Sequence, residues 1–190
     1  YMAMLAMSWG DYFDFNEMYM HFDLGFAATY PLTMLKFFGV DSIDHLRITD
    51  FLIGRQIGGI GSTFGIGLIL GGIYLMARGF ARWEISLSFL AGIFVSAAIF
   101  NAIDPTRFAG PFFHLCTGYT LVAAFFLAPE DASSPVNFIP MLIYGAAGGL
   151  MTVLIRNNGA YVDGAILAIL VINLINPLLD KIRPKALGKV

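Results

Sequence analysis

The feature that most constrains the fold of this chain is an uncharged run of 21 residues, Ile57–Ala77. A helix of about 20 apolar residues is long enough to cross the hydrocarbon core of a bilayer. The run opens with a glycine-rich turn, where the Ser62 or Thr63 hydroxyl is expected to cap the incoming helix. Glycines four residues apart predict a helix face of almost bare backbone that packs on other helices, so Gly67→Leu is expected to disrupt assembly.

Composition extends this prediction to the rest of the chain. Hydrophobic residues make up 58% of the 190 residues and charged residues only 13%, whereas the core helices of soluble proteins carry a polar face. Further apolar segments follow at Ile85–Ile103, Phe112–Ala128, Phe138–Ile155 and Gly164–Leu179. The predicted fold is all-α, a polytopic membrane protein with about five transmembrane helices, and short loops make consecutive helices antiparallel neighbours.

The chain divides into three predicted parts. Residues 1–56 are acidic and rich in aromatic side chains, which predicts an irregular interfacial segment that does not cross the membrane. Residues 57–179 form the five-span bundle, and residues 180–190 form a basic tail. A cytoplasmic tail would place residues 1–56 on the outer side. The apolar start lacks the basic region of a signal peptide and is similar to the end of an earlier helix, so a longer parent protein is expected.

Few side chains are typical of catalysis or metal binding. The predicted spans contain no acidic or basic residue, and their polarity comes from Asn101, His114, Thr117, Thr120, Thr152, Asn173 and Asn176. His114 and Cys116 alone do not make a metal site, and none is predicted. The glycines before Ser62 lack the lysine of a phosphate-binding loop. A net charge of −2 without a clustered basic face argues against a nucleic-acid partner.

Five motifs, in order along the chain, resemble those of one family of membrane proteins. The first, Phe26–Leu32, resembles a flavin-attachment motif. The others are Leu52–Gly54 with Gly58–Thr63, Leu70–Gly72 with Trp83–Ile85, Phe125–Val136, and Arg156–Asp180. Together they resemble the membrane component shared by two redox-driven ion pumps, which is RnfD in the Rnf complex and NqrB in the sodium-pumping NADH:quinone reductase.

The resemblance implies a role in electron transfer coupled to ion movement. The whole related protein has about twice as many spans, so this chain is similar to its C-terminal half. In that family a separate transferase joins FMN to a threonine through a phosphodiester, and riboflavin is a further cofactor to consider. The implied partners are other integral-membrane subunits of a redox complex in the bacterial inner membrane, with no autonomous catalytic site on this chain. The candidate cofactor-binding residues are Thr29, Ala28, Pro31, Gly61, Ser62 and Thr63.

The attachment motif departs from the family pattern at two positions. Phe26 stands where a small polar residue is usual, and Tyr30 is an additional residue between Thr29 and Pro31. Two other functions therefore stay open. One is a flavin-free structural subunit of another membrane complex, and the other is a small-solute channel built from a similar helical bundle.

Overall fold

The computed structural model describes residues 30–43, 46–130, 134–159, 161–179 and Lys181. Ala28 and Thr29 of the attachment motif, with most of the acidic segment and of the basic tail, lie outside the described residues. The described part of the chain is helical and contains no strand. The all-α prediction is confirmed for these residues.

The helices differ widely in length. Two of them, α4 and α7, have 21 residues each and are long and apolar enough to cross a membrane, while α3 and α8 are apolar but shorter. The predicted count of five spans is not confirmed. The helices are α1 Pro31–Phe38, α2 Ile48–Ile53, α3 Gly65–Ala77, α4 Trp83–Ile103, α5 Pro111–Cys116, α6 Thr120–Val122 with a π-helical turn Ala123–Leu127, α7 Phe138–Asn158 and α8 Ala165–Leu179.

Helix α1 begins where the sequence predicts. Tyr30 is extended, with φ −62° and ψ 119°, because a following proline excludes the helical region. Pro31 then occupies the first turn, where its missing N–H is not needed. The helix ends at Gly39, whose φ of 83° is open mainly to glycine.

The uncharged run does not form one helix. Residues 57–64 form turns and α3 begins only at Gly65, with no side-chain cap on its first N–H groups. Ser62 instead donates its hydroxyl hydrogen to the Gly59 carbonyl at 2.9 Å. The prediction of a cap by Ser62 or Thr63 is therefore wrong. Closely spaced glycines favour turns here because each loses more conformational freedom in a helix than other residues do.

The third apolar segment is also interrupted. Helix α5 ends at Cys116, and the chain turns through Gly118 with φ 66° before α6 begins. The π-helical turn that follows closes with a hydrogen bond from the Ala128 N–H to the Ala123 carbonyl at 2.8 Å. The prediction of one continuous span over Phe112–Ala128 is therefore wrong.

Helices α4 and α7 pack in parallel at the centre of the bundle. The Ser88 hydroxyl donates to the Leu142 carbonyl, and one turn further along both helices Gly92 lies against the Ala146 backbone. Segment α5–α6 connects them in the opposite direction. Small residues at the contact let the two backbones approach closely.

Helix α8 runs antiparallel to α7. Gly164, just before α8, lies against Ile155 near the end of α7, while Ile172 lies against Gly148 further back. Helix α3 runs in the same direction as α6 and the π-helical turn, since Gly65 lies against Leu121 and Gly72 lies against Phe125. The described residues of 30–43, 46–64, 104–119, 156–159 and 161–165 therefore gather at one end of the bundle, named here the loop end, and residues 78–83 and 134–138 lie at the other.

Candidate functional site

A buried ion pair lies at the loop end. The Arg156 side chain, near the C-terminus of α7, is 1% exposed, and its Nη2 is 2.9 Å from Asp163 Oδ1. The guanidinium also donates to the His114 and Thr117 carbonyls, at 2.8 and 3.2 Å, and to Thr120 Oγ1 at 2.8 Å. A buried charge is tolerated only when it is paired and hydrogen-bonded. The interruption after α5 exposes the carbonyls that meet this need.

Asp163 joins three parts of the loop end. Its carboxylate accepts hydrogen bonds from the Tyr119 N–H at 2.6 Å and from the Ala165 N–H, at the start of α8, at 3.1 Å. Burial by itself raises the pKa of Asp163, but the Arg156 charge and these hydrogen bonds outweigh it and hold the pKa below its ordinary value. The carboxylate is therefore charged at neutral pH.

Tyr30 and α1 are fastened to the same carboxylate and loop. The Tyr30 hydroxyl donates to Asp163 Oδ2 at 3.3 Å, and burial together with that carboxylate raises the pKa of Tyr30 well above its ordinary value. Further along α1, Lys36 Nζ donates to the Gly159 carbonyl at 2.6 Å and to the Tyr161 carbonyl. Both ends of α1 are thus held against the loop that precedes α8.

Gly118 makes this convergence sterically possible. A Cβ at this position would lie 2.8 Å from Leu32 Cδ1 and 2.9 Å from Arg156 Nη2, and would also contact Asp163 Oδ2. Its φ of 66° is a conformation that other residues adopt at a cost. Glycine at 118 therefore lets α1 and the ion pair meet.

The first motif is described only from Tyr30 onward. Ala28 and Thr29 lie outside the described residues, so the predicted attachment site stays a prediction. Pro31 is buried in the first turn of α1. The chain directly after Thr29 is therefore fixed by the Tyr30 hydrogen bond and by burial of Pro31.

The second motif lies beside Tyr30. A Cβ on Gly58 would be 3.8 Å from Tyr30 Cε2, so the turn that follows α2 packs on that ring. Ser62 is buried and Thr63 half-buried, whereas Gly61 is exposed with φ 79°. The two sequence motifs meet at the loop end through Gly58 and Tyr30, and Gly61 faces away from the protein interior.

A cavity of about 320 Å³ opens next to α1 at the loop end. Its apolar wall includes Leu32, and its polar wall includes Lys36, Arg107, Arg156 and Asn157. Ligand pockets in proteins have volumes from about 300 Å³ upward. The cavity is large enough for part of a small molecule.

His114 and Cys116 do not converge with other metal ligands in the described part of the chain. His114 is fully buried in α5, and neither ring nitrogen has a hydrogen-bond partner among the described residues; Cys116 is half-buried. Within the described ranges there is no group of three or more His, Cys, Asp or Glu side chains that could hold a metal ion.

Sequence reasoning missed the ion pair as a site. The fourth predicted span ends at Ile155, which leaves Arg156 in a loop, but α7 continues to Asn158 and buries the arginine. The only signal was the last family motif, which contains both Arg156 and Asp163. Their partner Tyr30 lies 133 residues from Asp163 along the chain, a separation that helical periodicity does not reveal.

Comparisons with known proteins agree on one family. Residues 2–188 match the model of the NQR2, RnfD, RnfE family. Similar curated proteins, each named as the D-type component of an ion-translocating oxidoreductase complex, come from Pectobacterium carotovorum (37% identity over 139 residues) and Aliivibrio salmonicida (31% over 171). These alignments cover 72% and 90% of this chain but 40% and 48% of the relatives. The matched region thus spans less than half the length of either relative.

Proposed function

The chain belongs to the NQR2, RnfD, RnfE family, and from this we propose that it is a membrane component of an ion-translocating oxidoreductase complex that carries electrons through FMN joined to Thr29. The assignment to such a complex rests on the names of the relatives. The assignment of FMN as the cofactor rests on the resemblance of Phe26–Leu32 to a flavin-attachment motif. Other subunits of the complex would be the partners, in the bacterial inner membrane.

The observation that carries the proposal is the anchoring of Tyr30, the residue after Thr29. Its hydroxyl donates a hydrogen bond to Asp163, and Asp163 forms an ion pair with the buried Arg156. An electron carrier depends on the protein chiefly for placement and for the electrostatic environment of the cofactor. The anchoring of Tyr30, the residue that follows Thr29, supports that role.

The attachment itself needs an activated flavin donor such as a flavin dinucleotide. The Thr29 oxygen would form a bond to the phosphorus of the FMN unit while the phosphoanhydride bond breaks. The nucleoside monophosphate leaves and the hydroxyl proton passes to solvent. Once attached, FMN supplies one- and two-electron redox chemistry. The cavity beside α1 supports the fit because Lys36 and Arg107 line it, and cations suit a group that bears a phosphate.

Thr29→Val is expected to abolish covalent flavin. Valine keeps the branched shape of threonine but has no hydroxyl to form the phosphodiester. The purified wild-type chain should give a fluorescent band on a denaturing gel and an intact mass raised by one FMN-phosphoryl unit. The variant should give neither.

Thr33→Val is the matched control, because it makes the same chemical change inside α1 and should keep both signals. A wild-type chain without fluorescence and with an unmodified mass would contradict the flavin proposal. If that chain still purified with large redox subunits, a flavin-free structural role would replace it. Uptake of a neutral solute by liposomes that contain only this protein would favour a channel instead.

We also propose that α3, α4, the α5–α6 segment, α7 and α8 each cross the membrane, with the loop end outside. The alternating directions of these segments support this proposal. Helix α3 has 13 residues, about 20 Å at 1.5 Å per residue, which is shorter than the hydrocarbon core. The turns before Gly65 would therefore have to lie at the level of the headgroups.

Cysteine labelling tests whether α3 crosses. In a Cys116→Ser background, Ile60→Cys lies in the exposed turn before α3 and Phe80→Cys in the exposed loop after it. A membrane-impermeant maleimide should label Ile60→Cys in intact spheroplasts and Phe80→Cys only after permeabilisation. Labelling of both from the same side would show that α3 does not span.

A further inference from the structure

The cavity beside α1 is rich in hydrogen-bond donors. Lys36 approaches it from α1, Arg107 from the loop after α4, and Asn157 from the end of α7. The Lys36 ammonium uses two of its three hydrogens on the Gly159 and Tyr161 carbonyls. One N–H therefore stays available to a ligand.

Arg107 and Asn157 supply donors that are not used within the described part of the chain. The Arg107 guanidinium lies 5.4 Å from the centre of the Phe108 ring and has no hydrogen bond to a described residue. Asn157 Nδ2 is buried and likewise has no partner there. A buried donor without an acceptor costs free energy, so an acceptor supplied by a ligand would stabilise the protein.

Counted over the described residues, the net charge at the cavity is positive. Arg156 is neutralised by Asp163, with which it forms the ion pair. Asp104 offsets part of the Arg107 charge, but its carboxylate is already engaged by the N–H and hydroxyl of Thr106. Lys36 therefore leaves about one positive charge uncompensated, and this disfavours a cationic ligand.

From this geometry we infer that the cavity is a binding site for a phosphate monoester or diester. A guanidinium fork and an ammonium bind phosphate oxygens by charge-assisted hydrogen bonds, and the Asn157 amide adds a neutral donor. The phosphate has two sources. The first source is the flavin phosphodiester at Thr29, and it rests on the proposed function. Leu32 lines the cavity and lies three residues after Thr29 along the chain. Its Cα is therefore within about 11 Å of the Thr29 Cα. The other is a phospholipid headgroup, because the cavity lies at the helix ends.

The first experiment measures binding of radiolabelled inorganic phosphate by equilibrium dialysis, with the full chain purified together with its accompanying subunits. If the flavin phosphodiester occupies the site, wild type binds little phosphate and Thr29→Val binds it. Arg107→Gln or Asn157→Leu, each combined with Thr29→Val, should weaken that binding about tenfold or more. Asn157→Leu should fold normally, since the lost donor has no partner among the described residues.

The second experiment measures retained phospholipid by native mass spectrometry. If a headgroup occupies the site, wild type retains phospholipid, while Arg107→Gln and Asn157→Leu lose most of it. Arg78→Gln, which changes an exposed arginine at the other end of the bundle, is the control and should alter neither measurement. The inference is overturned if neither phosphate nor phospholipid binding responds to Arg107→Gln and Asn157→Leu, or if Arg78→Gln has the same effect. A wild-type chain without flavin would contradict the proposed function but not the inference of a phosphate site, since the cavity would then bind free phosphate or lipid.

Discussion

Replacement of Arg156 by leucine is expected to destabilise the protein by about 3–5 kcal/mol, the usual cost of breaking a buried ion pair. The Asp163 carboxylate would lose its counter-charge, and the His114 and Thr117 carbonyls would lose their guanidinium donors. For a chain of this size the thermal midpoint should fall by roughly 6–20 °C. The measurement is thermal unfolding in detergent, followed by size-exclusion chromatography of the heated samples.

Three further variants separate charge from packing. Arg78→Leu removes an exposed arginine and should change stability by less than about 0.5 kcal/mol. Arg156→Lys keeps the charge but lacks the planar fork, so it should give an intermediate midpoint. Arg156→Leu with Asp163→Asn should be milder than Arg156→Leu alone, since no unpaired charge stays buried and the asparagine oxygen can still accept a hydrogen bond. A midpoint for Arg156→Leu that matches wild type would show that the pair does not hold the loop end together.

The parts of the fold that depend on local sequence could be predicted. An uninterrupted apolar length is enough to locate α4 and α7 within a few residues, and Pro31 is enough to start α1. The late start of α3 and the break at Gly118 could not be predicted in this way. The break exposes carbonyls that are stabilised by Arg156, a residue far along the chain. Tertiary contacts of this kind leave no trace in hydrophobic periodicity.

The candidate site likewise has one part that local sequence predicts and another that depends on distant contacts. The family motif predicts flavin attachment at Thr29. This residue lies outside the described residues, so the attachment stays a prediction. The anchor beside it depends on Tyr30, which sequence comparison presents as a departure from the attachment motif. In the structure that additional residue supplies the hydroxyl that binds Asp163. A change at the motif thus adds a contact that the motif pattern could not indicate.

Glycine at position 149 is expected to be indispensable for the contact between α4 and α7. A Cβ there would lie 2.7 Å from Ile93 N and 2.9 Å from the Gly92 carbonyl carbon, and would also contact the Phe89 carbonyl oxygen. These are backbone atoms of α4 and cannot rotate away, so Gly149→Ala must push the two helices apart. Overpacking of this kind costs about 1–3 kcal/mol or more, and the gain in helix propensity, about 1 kcal/mol, offsets only part of it.

Gly67→Ala is the matched comparison, and here the expectation drawn from sequence changes. A Cβ on Gly67 would lie 2.6 Å from Phe64 Cε1, an exposed ring on the preceding turn that can turn aside. Gly67→Ala should therefore leave the thermal midpoint unchanged or slightly raised, and Gly67→Leu should still assemble, whereas Gly149→Ala should lower the midpoint by several degrees. If the two alanine variants melted alike, close backbone approach between α4 and α7 would not be what holds the bundle together.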